Sequence, residues 1–197
     1  YNNSYIEKID KNNSVTLQTI TQSQVKVISS ISVDNEGNIY AAGSCAEIEA
    51  NFNGTPLPAP HLYTIYITKY NSSGQMQWTK YIEDITCPSP IVKARTPNEV
   101  YFSSELFNNF AFDTIIPEGP TGGYSDFFLA KLNETGNFLW IKEVPGIGST
   151  VPGLANYLEI DSDGNIYFGG NTRHTIQWNE AISTTAIGIN SDIIILK

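Results

Sequence analysis

Apolar and polar residues alternate over short runs along most of this chain, and pairs of runs are separated by tight polar turns. Residues 158–170 (LEIDSDGNIYFGG) show the unit: an alternating run, a turn of Asp, Ser, Gly and Asn, then a second run ending in small residues. Residues 31–43 (ISVDNEGNIYAAG) repeat it closely, and residues 92–104 (VKARTPNEVYFSS) repeat it with a changed turn. An alternation of period two on either side of a short turn predicts a β-hairpin. No long stretch carries the apolar period of a helix, so the elements predicted are strands throughout.

The pattern recurs at a fixed interval. Lys8, Lys69, Lys131 and Lys197 each close an apolar run (YIEK, IYITK, FFLAK, IIILK), at spacings of 61, 62 and 66 residues. Leu17, Trp78 and Trp140 follow the first three lysines by nine residues, and Tyr40, Tyr101 and Tyr167 mark the other hairpin at spacings of 61 and 66. The Tyr-to-Lys separation stays at 29 or 30, whereas Trp140 to Tyr167 is 27 against 23 for Trp78 to Tyr101. The extra residues therefore fall in the Pro- and Gly-marked connection 143–153 (EVPGIGSTVPG).

Each period holds two hairpins, strands a and b around Val33 and Tyr40, then strands c and d around Ile67 and Trp78. Four antiparallel strands that cannot bury both faces alone, recurring at this interval, predict a β-propeller blade. The expected fold is all-β, built of four-stranded antiparallel blades. Residues 1–18 supply strands c and d of one blade, 19–82 and 83–144 are whole blades, and 145–197 supply a, b and the start of c. That makes about three blade-equivalents, fewer than closed propellers use, and implies part of a larger propeller. Left-handed backbone is expected at Gly37, Asn98 and Gly164 in the a–b turns, and at Gly74, Gly136 and, after Asn13, Ser14 in the c–d turns.

Composition agrees and narrows the function. Apolar residues are 41% and charged ones 16% of the 197, the balance of a globular chain rather than a disordered one. The formal net charge is −9 with no Lys/Arg cluster, which argues against nucleic acid as a partner. No apolar run approaches the roughly 20 residues that span a bilayer. The sequence starts without Met or a signal peptide, so a processed or excised piece of a longer chain is expected.

Two motifs, D-x-x-G-N-I-Y-x-x-G (residues 34–43 and 161–170) and F-F-L-A-K-L-N-x-x-G-N-x-x-W (residues 127–140), resemble the bacterial SBBP family of β-propeller repeats over nearly the whole chain. The middle repeat departs from the pattern, with Arg95 in place of Asp and Ser103-Ser104 in place of the small Gly pair. The resemblance implies an exported or cell-surface protein, of the kind found in Bacteroidota that use type IX secretion. Residues 130–140 are also similar to the tryptophan-docking motif of quinoprotein-type propellers, where the Trp locks adjacent blades and does no chemistry.

Candidate chemistry is sparse. Asp161-Ser162-Asp163-Gly164-Asn165 has carboxylates at alternate positions, as a calcium loop does, but the same phase elsewhere reads as an Asp-Gly turn. Phe52, Phe112 and Trp178 fall in phase after the marker tyrosines, which favours packing over sugar stacking. His61, Arg95, Arg173 and His174 have no counterparts in the other repeats, and with Trp178 they form the candidate binding set for an anionic or sugar ligand. No metal-ligand spacing, nucleophile elbow or phosphate loop is visible, and no cofactor is expected. Cys45 and Cys87 lie in connections that leave one face of the same blade, so a disulfide and two free thiols both remain open. Asn2, Asn12, Asn53, Asn71 and Asn133 fit N-x-[ST], and Asp113-Thr114-Ile115 resembles the O-glycosylation sequon of Bacteroidota.

The expected function is a non-catalytic, exported, cell-surface or periplasmic propeller module that binds another protein or a surface glycan. Its binding face would be the one formed by the long b–c and d–a connections. A component of a secretion or surface assembly is the second expectation. A carbohydrate-active enzyme with Glu159 and Lys93 facing a central channel is the third.

Overall fold

The computed structural model describes residues 3–16, 20–23, 25–45, 50–52, 54–56, 64–82, 89–106, 111–118, 126–143, 157–172, 175–178, 180–185, 187 and 192–197. Every regular element among them is a strand: β1 (Ser4–Ile6), β2 (Ile20–Ser23), β3 (Val25–Val33), β4 (Ile39–Cys45), β5 (Asn51–Phe52), β6 (Thr55–Pro56), β7 (Ile65–Tyr70), β8 (Met76–Ile82), β9 (Ile91–Thr96), β10 (Glu99–Leu106), β11 (Asp126–Leu132), β12 (Phe138–Glu143), β13 (Tyr157–Ile160), β14 (Ile166–Thr172), β15 (Thr175–Gln177), β16 (Ser183–Thr185) and β17 (Asp192–Leu196). The first blade is the antiparallel sheet β3-β4-β7-β8, and the second is β9-β10-β11-β12. The third sheet has three strands, β13-β14-β17. The N-terminal hairpin β1-β2 extends into a fourth small sheet through β5-β6. Consecutive blades approach along their first strands, β3 beside β9 and β9 beside β13. The architecture is that of propeller blades in series.

The turns share one construction. In five of them an Asp or Asn side chain, Asp10, Asp34, Asn71, Asn133 or Asp161, accepts hydrogen bonds from the backbone N–H groups two and four residues on. The fourth residue of each then takes left-handed backbone: Asn13 (φ 65°), Gly37 (82°), Gly74 (83°), Gly136 (82°) and Gly164 (86°). Two expectations are corrected here. Asn13 itself, rather than Ser14, holds the left-handed position, because Asn tolerates that region. Asn98 does not have positive φ, since the Pro97-Asn98 turn joins Thr96 directly to Glu99 and absorbs the difference in a bulge before Val100. That middle turn is held instead by Arg95, whose Nε and Nη2 donate to the Glu99 carboxylate at 2.8 Å each.

Blade faces bury against one another. One cluster joins Tyr40, Ile65, Ile67 and Trp78 of the first blade to Val92, Phe102, Phe128 and Phe138 of the second. Another joins Tyr101 and Phe127 of the second to Leu158 and Phe168 of the third and to Ile176 of the two-stranded sheet β15-β16. Each of these side chains that is fully buried, as Phe102 and Phe128 are, contributes about 1.5–3 kcal/mol relative to exposure. The N-terminal hairpin packs Ile6 and Ile20 on Ile39, Tyr70 and Met76 of the first blade. Between them runs a buried polar chain: Tyr66 Oη donates to Gln22 Oε1 at 2.7 Å, and Gln22 Nε2 donates to Tyr70 Oη at 2.8 Å.

The connection between strands b and c reaches back to the preceding blade. β5 pairs with β2, placing the fully buried Phe52 edge-on to Tyr66 at 4.7 Å. In the next repeat Phe112, also fully buried, packs edge-on against Phe128 and Phe138. Its neighbour Asp113 accepts from Lys80 Nζ of the first blade at 2.7 Å. Phe52 and Phe112 are therefore packing residues, as their shared phase implies.

Candidate binding surface

The inner strands are tied by short polar contacts. Ser30 and Ser32 of β3 each accept from a backbone N–H of β9, those of Val92 and Ala94. Lys93 of β9 meets Glu159 of β13 at 2.7 Å. This pairing joins the two residues expected to face a channel and spends both charges on the seam. Arg95, one of the candidate ligand-binding residues, extends the same series: its Nη1 donates to Ser162 O at 2.7 Å while its carbonyl accepts from Asn35 N–H. The guanidinium, held by Glu99 on one side, joins the second blade to the third, and the backbone carbonyl joins the second to the first.

The marker residues form a second tie. Tyr40, Lys69 and Trp78 are opposite one another on adjacent strands. Lys69 Nζ lies 5.6 Å from the Tyr40 ring centroid, and Tyr40 and Trp78 are 6.1 Å apart. Burial first, and then the neighbouring Asp34 carboxylate, push the Tyr40 phenol well above its usual range. Trp78 Nε1 donates to Glu134 O in the c–d turn of the next blade at 2.8 Å, and Lys69 Nζ reaches the same oxygen at 3.4 Å. The indole lies so close over Gly136 that a Cβ there would stand 2.7 Å from Trp78 Cδ2. The second blade repeats the geometry, with Lys131 5.6 Å from Tyr101 and Tyr101 6.1 Å from Trp140. Lys197 lies 5.4 Å from Tyr167 in the third.

Asp161, whose turn suggested calcium, has its carboxylate engaged by its own chain. The Asn165 side chain foremost, with the backbone N–H groups of Asn165 and Asp163 and the Tyr167 hydroxyl, lowers its carboxyl to about 2. Among the described residues no group of three or more His, Cys, Asp or Glu could hold a metal ion.

The open space lies beside the third sheet. A groove of about 600 Å³ runs between the outer part of the second blade and β14-β17, lined by Phe127, Leu129, Ile141, Phe168, Trp178 and Leu196, with Glu118, Lys142 and Lys197 at its edges. Phe127 and Phe168 stack at 4.4 Å, and Phe127 lies 6.4 Å from Trp178. Trp178 is half-buried, and its Nε1 donates to Thr184 Oγ1 at 2.8 Å across the β15-β16 hairpin. A further recess of about 340 Å³ covers the far face of the sheet, over Tyr157, Gly169, Ile193 and Ile195.

Of the residues singled out from the sequence, Trp178 borders the groove and Arg95 sits in the inter-blade tie. His61, Arg173, His174 and Cys87 lie outside the described residues. Cys45 is a free thiol, 1% exposed, and burial pushes it up to about 12. The groove residues Phe127, Phe168 and Lys142 were not read as a site, because each looks like ordinary strand filling. The available signal was the repeat phase, which sets Phe127 and Phe168 one period after Ile65 and Phe102 of the preceding seam. No helix among the described residues is long and apolar enough to cross a membrane. No protein-family model matches this chain, and no curated protein matches it at a significant level.

Proposed function

We propose that this chain is a non-catalytic, exported or cell-surface β-propeller module that binds a protein or glycan partner. The observation that carries this reading is the aromatic groove beside β14-β17, with Trp178, Phe127 and Phe168 in its wall and Glu118, Lys142 and Lys197 at its rim. Apolar walls with a few charged groups at the edge are the usual make-up of a binding cleft. The charged groups of the inner strands are spent on one another, as Lys93 and Glu159 are, which favours a scaffold over an enzyme. The likeness of its repeat motifs to SBBP repeats supports an exported or surface setting, including that of a type IX secretion substrate or a surface-assembly component. The test is binding of the purified chain to glycan arrays and to surface-protein extracts, with Trp178→Ala and Lys142→Glu as variants. Partner capture that falls at least about tenfold in Trp178→Ala is expected; capture unchanged in both variants would refute this site.

A further inference from the structure

We infer that Gln22 is the register key of the seam between the N-terminal hairpin and the first blade. Its side-chain amide, held between the hydroxyls of Tyr66 and Tyr70, fixes where the hairpin sits along that blade.

The second seam shows what such a key does. There the Trp78 indole donates to the Glu134 carbonyl at 2.8 Å and lies over Gly136, where a Cβ would stand 2.7 Å from the ring. One directional bond and one steric fit define a single alignment of the two blades. The hairpin carries no indole at that place. Trp78 stands nine positions after Lys69, and the residue nine positions after Lys8 is Leu17, whose side chain has no hydrogen bond to donate.

The first seam buries mostly apolar surface, Ile6 and Ile20 against Ile39, Tyr70 and Met76. Apolar burial is non-directional, and side chains on a strand return to the same face every two residues. Packing of this kind tolerates a slip of two residues along the blade. An amide between two fixed partners does not. Gln22, Tyr66 and Tyr70 are each 0% exposed, Tyr66 Oη donates to the amide oxygen at 2.7 Å, and the amide nitrogen donates to Tyr70 Oη at 2.8 Å. A slipped hairpin would bury both ends of the amide away from these partners, which is costly.

The first blade is shaped for this contact and the second is not. Counted from the marker lysines, Tyr66 and Tyr70 correspond to Phe128 and Leu132, which carry no hydroxyl. Gly43 lies opposite Tyr66, and a Cβ there would stand 2.9 Å from the Tyr66 hydroxyl, whereas Ser104 lies opposite Phe128. The two seams thus carry different keys, a buried amide at the first and an indole on glycine at the second.

The experiment removes the key and keeps the packing. In the full chain, Gln22→Leu, Tyr66→Phe and Tyr70→Phe are combined, so that no member of the network is left buried without its partner. Urea unfolding reads stability, and nuclear magnetic resonance of the Ile6 and Ile20 amides reads the number of arrangements. The unfolding midpoint is expected at or above the parent's, with a second set of resonances in at least about one chain in ten. That set should show Overhauser contacts to residues other than 39, 70 and 76. One set of resonances with the parent's contacts would overturn the inference, whatever the midpoint. A second set without new contacts would overturn it too, since that is a frayed hairpin rather than a slipped one. If the triple variant fails to fold, Tyr70→Phe alone is read in the same way, because it takes the acceptor from Gln22 Nε2 and leaves the Tyr66 bond in place. A second set with new contacts then supports the inference, and any other result overturns it.

Discussion

Trp78 stands on Gly136. The indole of one blade covers the turn of the next so closely that the glycine is defined twice, by its φ of +82° and by the ring 2.7 Å from where a Cβ would be. Gly54 separates the two effects, since its φ is +97° but nothing lies within 4 Å of a built Cβ.

Gly136→Ala is expected to cost about 2–3 kcal/mol and Gly54→Ala about 1 kcal/mol, the difference being the steric term. Urea unfolding of the two variants checks this. Equal losses would mean that the indole moves aside freely.

Tyr66→Phe removes the hydroxyl that donates to the fully buried Gln22. The amide oxygen is then left without that donor in a site with little access to water. A loss of about 1–3 kcal/mol is expected, although the ring's packing on Phe52 is kept. A loss below about 0.5 kcal/mol would show that Gln22 finds a replacement.

Acid should weaken the chain through its turns. Asp161 falls from 3.8 in the unfolded chain to about 2 in the folded one, so its contribution is complete above 3.8 and disappears as pH drops through 2. Glu99, held down by the Arg95 guanidinium, shifts in the same direction. Unfolding midpoints at about pH 5 and about pH 2.5 should therefore differ less in Asp161→Asn than in the parent. An identical pH dependence would remove the turn as a source of acid sensitivity.

Cys45 should be silent toward thiol reagents in the native protein and react once it unfolds, since the thiolate is the reactive form and burial raises its pKa to about 12. Alkylation followed by peptide mapping checks this residue specifically. Rapid native labelling of Cys45 would contradict its burial.

The inner seam predicts tolerance. Lys93 and Glu159 keep side-chain exposures of 33% and 67%, and pairs this open contribute little. Glu159→Gln should change stability by no more than about 0.5 kcal/mol and leave any binding at the groove intact. Loss of an activity on polysaccharide in this variant would instead revive the channel reading.

Periodic contacts were legible in the sequence. The lysine, tyrosine and tryptophan markers recur because Lys69, Tyr40 and Trp78 form a unit that Lys131, Tyr101 and Trp140 repeat. What was not legible is what breaks the period or crosses it. The β2-β5 pairing joins residues about thirty positions apart across the whole β3-β4 hairpin, and β5, two residues long, is too short to show an alternation of its own. Arg95 read as a candidate ligand-binding residue because it lacks a counterpart in the other repeats. Its partner Ser162 lies 67 residues away, at a separation no local pattern encodes.

The middle turn also bears on how a chain of near-copies finds its order. Asp34 and Asp161 hold their turns through Asn38 and Asn165, whereas Arg95 and Glu99 hold theirs with the polarity reversed. Hairpins that look alike can trade places during assembly. The reversed pair labels the central copy, because a carboxylate at position 95 could not donate to the Ser162 carbonyl.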